Sequence, residues 1–167
     1  VSIWGARVLV VDDDPEVVEA AGPLLRAGGA DVIWVPTAGA ALATVIGVTP
    51  DVLVVDVTMP GLDAPGLLRA IRALSPERGG QVPAIAFDAR GPAEEPLESW
   101  LPAAFQGRLT KPFDPGELVA MVERLAGLAV ERRRRTLDRR QWPRDVSHDR
   151  RLEVRESSSR PSRHPGR

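Results

Sequence analysis

After Arg7 the run Val8-Leu9-Val10-Val11 is continuously apolar and mostly β-branched, and it stops on three consecutive aspartates, Asp12-Asp13-Asp14. A strand with one wet face alternates polar and apolar residues. An uninterrupted apolar run belongs to a strand covered on both faces, the situation of a parallel sheet flanked by helices. In open α/β sheets ligands bind beyond the carboxyl ends of the strands, so a strand that ends in carboxylates points to a site at that edge.

The rest of the chain repeats the pattern. A helical stretch opens at Pro15 with Val17, Val18, Leu24 and Leu25 apolar, and Gly28-Gly29 closes it; Gly22-Pro23 in its middle predicts a kink. Val32 to Val35 reads as strand, Ala38 to Ile46 as helix, Asp51 to Val55 as strand and Ala64 to Leu74 as helix. Ala84 to Phe87 and Arg108 to Thr110 read as two further strands, and Pro115 to Ala129 as a last helix with Leu118, Met121, Val122, Leu125 and Leu128 on one stripe. Between the last two strands a helix is expected over Gly91 to Ala104, shortened or distorted by Pro92, Pro96 and Pro102. Strict alternation of strand and helix predicts a doubly wound α/β domain with right-handed crossovers.

Composition narrows the classes. With no cysteine there is no disulfide framework, thiolate metal site or thiol nucleophile. No apolar run approaches the roughly 18 residues that span a bilayer, and the first residues lack the basic and apolar segments of an export signal, so a soluble cytoplasmic protein is expected. The net charge of −1 hides an asymmetry: residues 1–130 hold 9 basic and 17 acidic side chains, residues 131–167 hold 13 and 6. The latter segment, with Arg132 to Arg135, Arg139-Arg140 and Ser157 to Ser159, is too poor in apolar residues to offset its ordering entropy and is read as a disordered arginine-rich tail after a domain over 1–130. Its interspersed acids and few aromatics favour a solvated tail over a nucleic-acid or membrane ligand, and no DNA-reading motif is visible. Any output then comes from another protein or from a longer chain of which this is a fragment.

If the first and third strands are neighbours, Asp12, Asp13 and Asp56 converge on one crevice. Like charges about 4 Å apart repel by roughly 4 kcal/mol at an effective dielectric of 20, and Mg²⁺, which prefers oxygen ligands, is the natural neutraliser. Asp14 before Pro15 reads as a helix cap, and Asp31, Asp51 and Asp63 as turn or loop residues. Lys111 is the only lysine beside 21 arginines, which marks it as a chosen point charge. It precedes Pro112, where a cis bond would turn the ammonium toward the acidic crevice. Trp4 and Trp34 are read as filling the core edge or a surface contact, and Trp100 as marking a partner face.

Three segments carry a specific likeness: Val8-Leu9-Val10-Val11-Asp12-Asp13-Asp14-Pro15; Pro50-Asp51-Val52-Leu53-Val54-Val55-Asp56 with Met59-Pro60-Gly61; and Leu109-Thr110-Lys111-Pro112-Phe113. In order and spacing, over roughly Arg7 to Leu128, they resemble the receiver domains of two-component response regulators, the chemotaxis regulators among them. The stretch from Arg72 to Gly80 resembles receiver modules of hybrid sensor histidine kinases. The resemblance implies a flavodoxin-like five-stranded parallel sheet of order 2-1-3-4-5 and a phosphorelay role. Asp56 would accept a phosphoryl group from a histidine kinase or phosphotransfer protein, and partner binding would switch in response. Mg²⁺ would be ligated by Asp13, Asp56 and the backbone carbonyl of Thr58, with Asp12 acting through metal-bound water and Lys111 pairing with the phosphoryl oxygens. Such a domain is no enzyme beyond its own phosphorylation and dephosphorylation. Dimerisation through the fourth helix, fifth strand and fifth helix is open by the same analogy, with the prolines near the fourth helix against it.

Two positions depart from that pattern. Where such domains end their fourth strand in Thr or Ser, this chain has Asp88, and the aromatic or histidine expected three residues before the lysine is Arg108. Either the two form an ion pair in place of the usual switch, or Asp88 points to solvent in a shifted loop. Three functions stay open: a phosphorylatable receiver; a pseudo-receiver, a binding module not regulated by phosphate; and an aspartate-nucleophile phosphohydrolase. Asp12-Asp13-Asp14-Pro15-Glu16 lacks the Asp-x-Asp-x-Thr or Val pattern that the last would need.

Overall fold

The computed structural model describes residues 3–89 and 105–136. Its ten elements begin β1 (Arg7–Val11), α1 (Pro15–Ala27), β2 (Asp31–Val35), α2 (Ala38–Val48), β3 (Val52–Asp56) and α3 (Ala64–Arg72). A 3-10 turn (Pro76–Arg78), β4 (Ala84–Asp88), β5 (Gly107–Thr110) and α4 (Pro115–Thr136) follow. All paired strands are parallel and the sheet order is β2-β1-β3-β4-β5, the doubly wound arrangement expected. The helix anticipated over Gly91 to Ala104 lies outside the described residues, as does the chain beyond Thr136.

Because side chains alternate along a strand, each strand feeds two cores. Leu9, Val11, Leu53, Val55, Ala84 and Ala86 face α2 and α3, meeting Ala41, Val45, Leu67, Leu68 and Ile71. Val8, Val10, Val52, Val54, Ile85 and Phe87 face α1 and α4, meeting Val17, Ala21, Leu25, Leu118, Val122 and Ala126. The unbroken apolar runs of β1 and β3 therefore mark strands with no wet face.

Helix starts follow local chemistry. Asp14 Oδ1 accepts from the Glu16 N–H at 2.9 Å, Thr37 Oγ1 from Ala40 at 3.2 Å and Asp63 Oδ1 from Gly66 at 2.8 Å, each satisfying a donor with no partner inside its helix. The Asp14 cap matches its sequence reading, and Asp63 is likewise a cap. Asp51, read as a loop residue, is buried and accepts from the Arg7 N–H at 2.6 Å. Helix α1 runs through Pro23. Helix α4 runs on to Thr136, past the boundary drawn at Val130, because Glu131 and the arginines that follow are good helix formers that continue an established helix.

Candidate functional site at the carboxyl edge of the sheet

β1 and β3 are hydrogen-bonded neighbours, with Val11 paired to Val55, so the residues just past those rungs emerge side by side. Asp12 is fully buried, Asp56 is 5% exposed, and Asp13 faces solvent. One carboxylate oxygen from each of the three lies within 4.8 Å of the others. Lys111 arrives from the far side of the sheet, where its backbone N–H extends the β4–β5 ladder by donating to Asp88 O at 2.8 Å. Its Nζ donates to Asp12 Oδ2 at 2.7 Å and to Asp56 Oδ2 at 2.8 Å. On the way the ammonium passes 5.8 Å from the centre of the Phe87 ring, which is stacked on Phe113. The Lys111–Pro112 bond is cis.

Burial pushes the Asp12 carboxyl above the usual carboxylate range, against the opposing pull of Lys111 and of the Asp14 N–H. For Lys111 burial works downward, but the bonds and charges of Asp12 and Asp56 outweigh it and the ammonium is held above its ordinary value. The lysine therefore stays charged. One ammonium among three carboxylates leaves the cluster two positive charges short of neutral. The donors are all hard oxygens, partly open to solvent through Asp13, a set suited to Mg²⁺ and ill suited to soft metals.

The second oxygen of Asp56 is held as well. Thr58 donates to Asp56 Oδ1 through its backbone N–H at 2.7 Å and through its hydroxyl at 2.6 Å. The family resemblance implies only a backbone carbonyl role for Thr58. A hydroxyl two residues after the central aspartate was the available signal, since short side chains commonly close such local turns. Trp34 is a second addition: its indole Nε1–H donates to the Asp12 carbonyl at 2.7 Å. No sequence spacing reports a contact between the last strand residues of β2 and the turn after β1.

Asp88 is in β4 and fully buried, which overturns the solvent-facing alternative. Arg108 of the adjacent β5 places Nη2 2.7 Å from Asp88 Oδ2, while 42% of the arginine side chain remains exposed. The expected pair exists. The residues expected to form the site are thus at this edge, Asp12, Asp13, Asp56, Thr58 and Lys111 in one cluster and Asp88 with Arg108 beside it, while Trp100 lies outside the described residues.

Sheet order and acidic edge together define a flavodoxin-like α/β protein with a polar site at its strand ends. Residues 8–123 match the response regulator receiver domain family, and the chain belongs to it. It is 39% identical over 116 residues to a 14.6 kDa protein from the sodA1 3′ region of Leptolyngbya boryana, covering 70% of this chain and 86% of that one. It is 35% identical over 123 residues to the transcriptional regulatory protein PrrA of Mycobacterium tuberculosis, and 36% over 125 to the sensor protein GacS of Pseudomonas syringae. Each match takes in 74% of this chain, but it spans 51% of PrrA and 14% of GacS. Among solved structures it is similar to the receiver domain of a sensor histidine kinase from Pseudomonas aeruginosa PAO1, which has a magnesium ion coordinated in its active-site cleft. That likeness has a TM-score of 0.64 and 30% identity, over 74% of this chain and 98% of the other. Among the described residues no helix is long and apolar enough to cross a membrane.

Proposed function

We propose that this domain is a cytoplasmic phosphorelay receiver in which Asp56 accepts a phosphoryl group from the phosphohistidine of a sensor kinase or phosphotransfer protein and thereby changes the binding of a downstream protein. The observation that carries this is the placement of Lys111 across the two buried carboxylates Asp12 and Asp56, with Asp13 beside them. In the transfer the phosphorus–nitrogen bond breaks, a bond from phosphorus to an Asp56 oxygen forms, and the imidazole nitrogen keeps the electron pair and takes up a proton. Asp56 is the nucleophile. Asp13, Asp56 and the Thr58 carbonyl would hold Mg²⁺, and Asp12 would hold a water of its shell. When bound, the ion screens the charge gathered between carboxylate and phosphoryl group. Lys111, kept protonated, would pass its bond from Asp56 Oδ2 to the phosphoryl oxygens. The Thr58 hydroxyl holds Asp56 Oδ1 in the resting state. No turnover of a separate substrate is part of this reading.

The test is to incubate the protein with Mg²⁺ and a small-molecule phosphodonor and to record intact mass. A single phosphate adduct that disappears in Asp56→Asn supports the proposal. A folded protein that gains no adduct overturns it.

The pairing of buried Asp88 with partly exposed Arg108 favours a second reading, a binding module whose state does not depend on phosphate. A carboxylate stands where the family resemblance implies a hydroxyl, and the arginine that neutralises it occupies the place of the expected aromatic or histidine. Asp88→Thr is then expected to raise the phosphorylated fraction severalfold under identical donor and Mg²⁺; an unchanged fraction removes the pair from any part in phosphate uptake.

A further inference from the structure

β1 and β2 pair in register from Arg7 opposite Asp31 to Val11 opposite Val35, and the last rung is the Asp12 N–H donating to the Val35 carbonyl at 3.2 Å. Past that rung the chain leaves the sheet, and the Asp12 carbonyl takes its bond from a side chain, the Trp34 indole at 2.7 Å. This fixes the peptide plane between Asp12 and Asp13. The next plane, between Asp13 and Asp14, is tied by the Asp14 N–H donating to Asp12 Oδ1 at 2.9 Å. Both peptide planes flanking Asp13 are therefore held.

Asp13 is the solvent-facing member of the acidic trio, so no packing orients its side chain. The direction in which its carboxylate leaves the backbone is what these two bonds determine. Mg²⁺ demands near-octahedral geometry at about 2.0–2.1 Å, and a ligand on an untethered turn would meet that demand poorly. Groups that orient a metal's ligands contribute to affinity without touching the metal. We propose that Trp34 is a positioning residue for Mg²⁺ binding, acting through the Asp12 carbonyl to aim the carboxylate of Asp13; this rests on the reading of the acidic edge as a Mg²⁺ site. The ring itself packs against the core that includes Val8, Val10 and Val32. Packing and hydrogen bonding are thus separable: Trp34→Phe keeps an aromatic ring and removes the donor.

The experiment is calorimetric titration of the full chain with MgCl₂, alongside ¹H–¹⁵N spectra of the indole N–H groups. The Trp34 signal is assigned by its loss in Trp34→Phe. The expected result is about a three- to tenfold weaker Mg²⁺ affinity in Trp34→Phe, at the low end of what such partners contribute because Mg²⁺ retains several waters. In the unaltered chain the Trp34 indole resonance should shift with the same midpoint as the heat of binding, and Asp13→Asn should abolish both. If none of the four indole resonances of the unaltered chain shifts at saturating Mg²⁺, the inference is overturned without any variant having to fold. So does a folded Trp34→Phe protein with unchanged affinity, which leaves the metal-site reading standing. Absence of any Mg²⁺ uptake by the unaltered chain removes the metal-site reading and the inference with it.

Discussion

Lys111 bridges two buried carboxylates, so its removal leaves Asp12 in the interior with only backbone donors. Breaking a buried pair in this way costs about 3 kcal/mol or more, and denaturant unfolding of Lys111→Met at pH 7 without divalent ions should show a loss of that order. The pH dependence has a definite sign. Asp12 already has its carboxyl raised by burial, and a group raised in the fold favours the native state below its unfolded value and loses that contribution as pH climbs through the folded one. Loss of the ammonium raises Asp12 further, so the deficit of the variant should be greatest at neutral pH and shrink as the pH falls through the raised folded value toward the ordinary carboxylate range. Asp13 presents the opposite case. Its charge adds repulsion to the cluster and it is solvent-facing, so in the absence of divalent ions Asp13→Asn should be the more stable protein, by about 1 kcal/mol at most.

At the level of elements, β4 and β5 meet through Asp88 and Arg108 while the helices are set by caps and apolar stripes. Arg108→Ala withdraws the cation beside a fully buried carboxylate; with the arginine partly in solvent, a loss of about 1–3 kcal/mol is expected in equilibrium unfolding. A loss below measurement would show that other partners suffice for Asp88. Asp63 is not one of the three carboxylates of the acidic cluster. Asp63→Ala should cost about 1 kcal/mol and leave the yield of phosphate adduct unchanged, whereas a drop in yield would tie the start of α3 to the site. Leu68, fully buried where α3 meets the sheet, should cost about 2–5 kcal/mol when cut to alanine.

For the whole molecule, a ligand that binds only the folded state stabilises it by mass action. At ten times its dissociation constant, Mg²⁺ should raise the melting temperature by about 3–6 °C, and Asp13→Asn should remove the increment. The fold and the core of the site were open to sequence reading because their signals are local: unbroken β-branched runs, carboxylates at strand ends, one lysine among arginines. A strand covered on both faces has no choice but to be apolar at every position, and that leaves its mark residue by residue. The features decided by tertiary structure are those in which a side chain meets a partner distant in sequence. The Trp34 indole reaches the Asp12 carbonyl only because β2 lies beside β1 in one register. Asp51 is drawn into the interior because the start of β1 supplies an N–H donor 44 residues away. Whether Asp88 turned to water or into the protein depended on whether β5 could bring a cation to it, and Arg108, paired in register with Ala86, reaches along the sheet to do so; burial of a carboxylate is tolerable only where a cation meets it. Periodicity reports which face is buried; it carries no record of which two polar groups meet across strands, because that is set by strand order and register.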